Sequence, residues 1–253
     1  MPMSRIITVL FFTLVAATIA AADAIPLVPP IGTPSGGTTV NYPGTEGSLL
    51  PSGFSVSAGG NTLTFTQQGF PGSTMNFRRV AQTPASGPLL GCGTTWGGNF
   101  LPCTQLLYTG GADRSGLGPV TITFATPVVE IGLRAQNFAP VFPSPGAPQS
   151  FVASVFRGAT PLVGGTFTFV GMSNNAADGS ATFIGFRAIN GDSFDRIVIS
   201  SNTNDFAIGP VTFGPAGATG ATPIPEPTTL LLLGTGTAAL GIGRKLRKKN
   251  RTP

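Results

Sequence analysis

The 253-residue chain contains no histidine. That absence removes Ser-His-Asp and Cys-His hydrolases, histidine-ligated zinc and iron, and the usual general base near neutral pH. Charge is scarce as well: Asp, Glu, Lys and Arg together make up 9% of the residues. Between residues 25 and 224 there are seven arginines, seven acids and no lysine. That stretch is formally neutral, so the overall charge of +5 comes mainly from the C-terminal end. The nucleic-acid partner that a basic protein would otherwise suggest is rejected on that ground. Glu46 and Glu130 are the only glutamates of the body, and neither sits in a recognisable setting for carboxylate-pair hydrolysis. No phosphate-cradling loop is present: the glycine cluster at 91–98 lacks the following Lys-Ser/Thr and helix. The expectation is a protein that is not an enzyme and carries no cofactor.

The body also lacks any window of 3.6-residue periodicity. What it has instead are short β-branched and aromatic runs separated by Gly, Pro, Asn and Ser. Residues 54–56, 63–66 and 120–124 alternate apolar with polar, as half-buried strands do. Pro127 then separates a further run at 128–133, and the pattern continues at 151–156, 166–170, 182–186, 194–200 and 206–213. Glycine and proline are abundant, at 36 and 24 residues, which alone would suit a disordered chain. The alternating phenylalanines oppose that, because disordered segments are poor in aromatics. The fold class expected is all-β: a monomeric antiparallel β-sandwich, jelly-roll-like, over residues 38–213. Residues 25–37 read as an extended leader and 214–224 as a linker, both Pro/Gly-rich and without periodicity.

Both ends carry targeting features. Residues 1–24 read as a secretory signal, with Arg5 as the positive start and an apolar region over 6–22. Ala22-Asp23-Ala24 supplies small residues at the two positions a signal peptidase needs, which places cleavage after Ala24 and a mature start at Ile25. The alternative is an uncleaved anchor. At the other end, Pro225-Glu226-Pro227 precedes an uncharged apolar run over 228–243. As a helix that run would reach roughly 24 Å, against about 30 Å of bilayer hydrocarbon. It is a marginal transmembrane helix, closed by the basic stop Arg244, Lys245, Arg247, Lys248, Lys249 and Arg251. Cationic flanks stay cytoplasmic, so the body lies outside. A buried core helix is the alternative, and such a helix is rarely followed by a block of cations.

The tripeptide, the Leu-rich segment and the Arg/Lys-rich end, over 225–251, resemble the PEP-CTERM sorting signal of bacterial exported proteins. The resemblance implies a membrane-embedded, exosortase-like peptidase as partner, acting at Pro225-Glu226-Pro227. It also implies a membrane-anchored intermediate, a final place at the cell surface or outside the cell, and a link to exopolysaccharide. The second half of the body resembles the β-sandwich bodies that often accompany this signal, on Ile122-Thr123-Phe124-Ala125-Thr126-Pro127-Val128, Phe183-Ile184-Gly185-Phe186, Phe194-Asp195-Arg196-Ile197-Val198-Ile199 and Asp205-Phe206-Ala207-Ile208. Such bodies commonly close with an aspartate after the last isoleucine. Gly209 stands there in this chain, so no ligand role is carried over to it.

Cys92 and Cys103 are the only cysteines, and in an exported chain a pair reads as one structural disulfide. Closing a loop of this size contributes about 3 kcal/mol in the chain-entropy account. Trp96, the only tryptophan, lies within that loop. It is either a platform on which a sugar ring stacks or a side chain folded down to cap the sandwich. Three polar clusters have calcium-type oxygens: Asn174-Asn175 with Asp178, Asp192 with Asp195, and Asn202, Asn204 with Asp205. None has the twelve-residue loop spacing, and Asp-Gly and Asn-Gly steps are ordinary turn formers, so no metal is assigned. The functional reading is a non-catalytic surface or matrix protein. The alternatives are a carbohydrate- or calcium-binding module and, last, an envelope hydrolase.

Overall fold

The structure is a computed structural model that describes residues 23–27, 34, 37–69, 76–84, 92, 95–110, 116–138, 147–173, 176–202 and 205–215. The chain separates into two units, Met1–Ala218 and Thr219–Pro253, and every described residue lies in the first. Fourteen strands are described, and no helix. In chain order they are β1 (Ala24–Pro26), β2 (Thr38–Val40), β3 (Leu49–Pro51), β4 (Phe54–Ala58), β5 (Asn61–Gly69), β6 (Asn76–Ala81) and β7 (Gln105–Tyr108). There follow β8 (Gly116–Asn137), β9 (Ala147–Arg157), β10 (Thr160–Ser173), β11 (Thr182–Ala188), β12 (Phe194–Ser201), β13 (Phe206–Ile208) and β14 (Val211–Pro215). Residues 1–22 of the expected signal and the whole expected transmembrane helix lie outside the described residues, whereas Asp23 and Ala24 are described and Ala24 opens β1.

One strand organises the rest. β8 has 22 residues and at about 3.3 Å per residue would reach ~70 Å if straight. A compact domain of this size is only about 40 Å across, so the strand has to bend. The register with β12 breaks between Thr123 and Val128, around the exposed Ala125-Thr126-Pro127. Pro127 has no N–H to give to a ladder, and the Asn61 side chain supplies the missing pairing. Its amide donates to the Thr126 carbonyl at 2.7 Å, and its oxygen accepts from the Thr126 N–H at 3.0 Å. The runs at 120–124 and 128–133, which Pro127 separates in the sequence, are therefore one strand.

Each half of β8 is the middle of a layer. The first half pairs with β5 on one side and β12 on the other, giving the order β4-β5-β8-β12-β9-β10. The second half pairs with β11, which carries β1. On its other side it pairs with β13 and β14 end to end; β13 leads on to β7, β6 and β3, and β14 to β2. All of these pairings are antiparallel, so the all-β, antiparallel, sandwich-like expectation holds. The β4–β5 turn, Gly59-Gly60, has both residues at positive φ, as a two-residue hairpin of the primed type requires.

The two layers close on a phenylalanine-rich core. Phe65, Phe151, Ile122, Ile197 and Ile199 come from the first layer; Ile131, Leu133, Phe186, Phe206 and Phe213 come from the second. Rings meet across the interface at 5.7 Å (Phe151–Phe206), 5.5 Å (Phe169–Phe186) and 5.6 Å (Phe124–Phe213). Each such phenylalanine contributes roughly 1.5–3 kcal/mol relative to exposure. The opposite face of the first layer carries hydroxyls, paired across strands at Ser55–Thr64 (2.8 Å), Ser57–Thr62 (2.9 Å) and Ser154–Thr166 (2.9 Å). This is the apolar-in, polar-out alternation that the sequence displays.

The chain segment read as a leader starts inside the sheet. β1 pairs with the end of β11, and buried Leu27 donates its N–H to the Gly185 carbonyl at 2.9 Å. A three-residue strand is too short to show a period, yet it covers an edge that would otherwise offer unpaired backbone groups. At the other end β14 runs two residues past 213, and residues 216 onward lie outside the described set.

Tyr42, on the segment after β2, ties that segment to the join between β13 and β14. Its ring packs edge-on against Phe65 at 5.6 Å, and its hydroxyl donates to the Gly209 carbonyl at 2.7 Å. Burial holds the phenol neutral by pushing its pKa well above the usual value. In the unfolded chain the phenol ionises near pH 10. The stabilisation from neutral Tyr42 is therefore complete below about pH 10 and is lost as the pH rises from there towards the raised native value. Tyr42→Phe is expected to lose about 1–3 kcal/mol at neutral pH, because the Gly209 carbonyl loses its donor. The gap to the parent should narrow under alkaline conditions. Urea unfolding of both proteins at neutral and alkaline pH checks this, and a gap that widens with pH contradicts it.

Candidate functional site

Among the described residues, the stretch with unusual chemistry is the loop between β6 and β7. Cys92 and Cys103 are joined, with Cα atoms 4.5 Å apart. The loop is also held through its backbone. Trp96 N–H donates to the Ala81 carbonyl (3.1 Å), Thr83 N–H to the Trp96 carbonyl (2.7 Å), and Cys103 N–H to the Gln82 carbonyl (3.1 Å). These bonds hold the described part of the loop, residues 95–104, against the outer face of the second layer. A second apolar cluster forms beneath it from Val80, Trp96, Phe100, Leu106, Tyr108, Ala181 and Ala207. The Trp96 indole is 3% exposed, with the Tyr108 and Phe138 rings at 5.4 and 5.5 Å. It caps the layer, and the exposed platform that sugar stacking needs is not formed.

Sequence reading did not find the residue that anchors this loop. Gln136 of β8 is 1% exposed, and all its polar capacity is directed at the loop and its neighbours. Its oxygen accepts from Asn99 N–H at 2.7 Å and from the Trp96 indole N–H at 3.4 Å. Its amide donates to Asn99 Oδ1 at 3.3 Å and to Ser173 Oγ at 3.1 Å. Asn99 in turn donates to the Met172 carbonyl and to Ser180 Oγ, each at 2.9 Å. Gly98 is required for this approach: a Cβ there would stand 2.1 Å from the Gln136 oxygen. A lone glutamine in a strand has no spacing signature, so nothing in the sequence singles it out.

The described members of the oxygen-rich clusters have separate partners. Asp178 accepts the Ser180 N–H at 2.9 Å inside its own turn. Asp192 forms an ion pair with Arg157, while Asp195 accepts the Gly158 N–H at 2.9 and 3.0 Å and closes the β9–β10 turn. Asn202 accepts from Asn137 Nδ2 at 2.7 Å and from Ser150 N–H at 3.2 Å, and Asp205 accepts the Tyr108 hydroxyl at 3.2 Å. Asn174, Asn175 and Asn204 lie outside the described residues. Among the described residues no three His, Cys, Asp or Glu side chains gather, whereas calcium takes six to eight oxygens. Gly209 packs on Phe100, and an added Cβ would sit 3.3 Å from that ring. An aspartate there would crowd an apolar contact.

Pro225, Glu226, Pro227 and the basic stop from Arg244 to Arg251 lie outside the described residues. Among the described residues no helix is long and apolar enough to cross a membrane. What identifies the tail is comparison with known families: residues 223–248 match the PEP-CTERM protein-sorting motif. The chain is therefore a PEP-CTERM-containing exported protein, of the kind that exosortase recognises and processes. No curated protein and no solved structure matches the chain.

Proposed function

We propose that this is a non-catalytic surface or extracellular-matrix protein, held at the inner membrane by its tail during export and then released or transferred by an exosortase-like peptidase. The carrying observation is the sorting motif at 223–248. The body supports the reading in three ways. It has no histidine. Its disulfide suits an oxidising compartment. Two of its buried polar side chains, Gln136 and Asn99, are spent on holding one loop. Its role belongs with the exopolysaccharide matrix that the sorting system serves. Proline biases the residue before it away from helix, so the sequence Pro225-Glu226-Pro227 favours the extended form a peptidase grips.

The test is the C-terminal peptide of the mature surface protein in cells that possess the enzyme. It is expected to lack residues 230–251, whereas a Glu226→Ala variant retains them in the membrane fraction. Mature surface protein that still carries Leu230 through Arg251 overturns the proposal.

A further inference from the structure

Two overlapping tripeptides at the N-terminal end satisfy the same small-residue requirement of a signal peptidase: Ala20-Ala21-Ala22 and Ala22-Asp23-Ala24. The sequence reading takes the second. From the folded body we infer that the first is used, so that the bond cut is Ala22–Asp23 and the mature chain begins at Asp23. This rests on the reading of the N-terminal end as an export signal.

The two products differ in what they leave of β1. Ala24 is 1% exposed and belongs to the main core, opposite Ala188 of β11. Asp23 is bound on both sides through its backbone. Its N–H donates to the Val163 carbonyl of β10 at 2.9 Å, and its carbonyl accepts the Ile189 N–H at 3.0 Å. Asp23 thus links the edge strand of the first layer to the end of β11 in the second. A cut after Ala24 removes both bonds, empties the space of a buried methyl, and leaves the Val163 carbonyl and the Ile189 N–H without these partners. It also puts the new α-ammonium on Ile25, within the strand and opposite Arg187 of β11. A cut after Ala22 leaves all three strand residues in place. The new ammonium then falls on Asp23, where it still donates to the Val163 carbonyl and lies beside the residue's own carboxylate. The peptidase acts on an unfolded chain and does not sense these contacts. The inference is that the chain's sequence has been shaped to give a complete sheet after the cut.

The experiment is N-terminal sequencing and intact mass of the exported protein, together with an Ala20→Arg variant. That substitution damages only the first tripeptide and precedes Asp23 in the chain. The expected result is a parent protein that begins Asp-Ala-Ile-Pro, and an Ala20→Arg protein that loses at least tenfold of that product. A parent that begins at Ile25, or an Ala20→Arg variant processed as well as the parent, overturns the assignment. A parent that still carries the residues before Asp23 overturns both this assignment and the export-signal reading beneath it.

Discussion

Gln136→Leu is expected to lower the stability of the body by about 3–5 kcal/mol, a large share of the 5–15 kcal/mol typical of a domain. Leucine fills nearly the same volume, so little of the loss comes from packing. The loss comes from what is stranded: the Asn99 N–H, the Asn99 oxygen, Ser173 Oγ and the Trp96 indole N–H all face Gln136. Each buried group left without a partner costs about 1–3 kcal/mol, and the four share one solvent-excluded space, so the costs do not simply add. Because Trp96 is the only tryptophan, its fluorescence reports on the loop directly. The variant should unfold at lower urea, with red-shifted emission even before the main transition. A loss below about 1 kcal/mol would mean that the disulfide and the backbone bonds alone hold the loop.

The same region explains which parts of the fold the sequence displays and which it does not. β5, the first half of β8, β9 and β12 alternate clearly, because one face meets the core and the other meets water. β6, β7 and β13 do not alternate, and the reason is the stapled loop: it buries their second face as well. Leu107 points into the main core while Leu106 and Tyr108 point under the loop, so Gln105–Tyr108 reads as an apolar run with no period. Phe206 and Ala207 divide in the same way. The strand at Asn76–Ala81 is further disguised by Arg78 and Arg79. The join at Pro127 is hidden for a different reason, since it depends on Asn61, which is far away in sequence and contributes a side chain to a backbone ladder. Of the candidate site, the cysteine pair and the sorting motif are legible because they depend on residue type and order alone. The role of Gln136 depends on three segments meeting, and no local pattern encodes that.

A second large effect is expected at Glu130 and Arg187. They are register partners on β8 and β11 and form an ion pair, with side chains 8% and 20% exposed. Around them gather the strands at the two ends of the body: Ile25 of β1 is the register partner of Arg187, and Gly214 of β14 that of Glu130. Glu130→Leu leaves a largely buried guanidinium without its counter-charge, and removing one partner of a buried pair costs about 3–5 kcal/mol. Arg187→Met should cost a comparable amount for the mirror-image reason. The double variant is the informative one. Taking both charges out of water is itself expensive, so an apolar pair of similar volume is often neutral or stabilising by about 1–4 kcal/mol. Glu130→Leu with Arg187→Met should therefore recover most of what either single variant loses. Hydrogen exchange should place the damage of the single variants first at β1 and β14, the short strands that this pair holds against the sheet. Those strands are the first and the last of the described body, so loosening them should also raise its proteolysis at both ends. Two additive single losses in the double variant would show that the side-chain stems, not their charges, hold these strands in place.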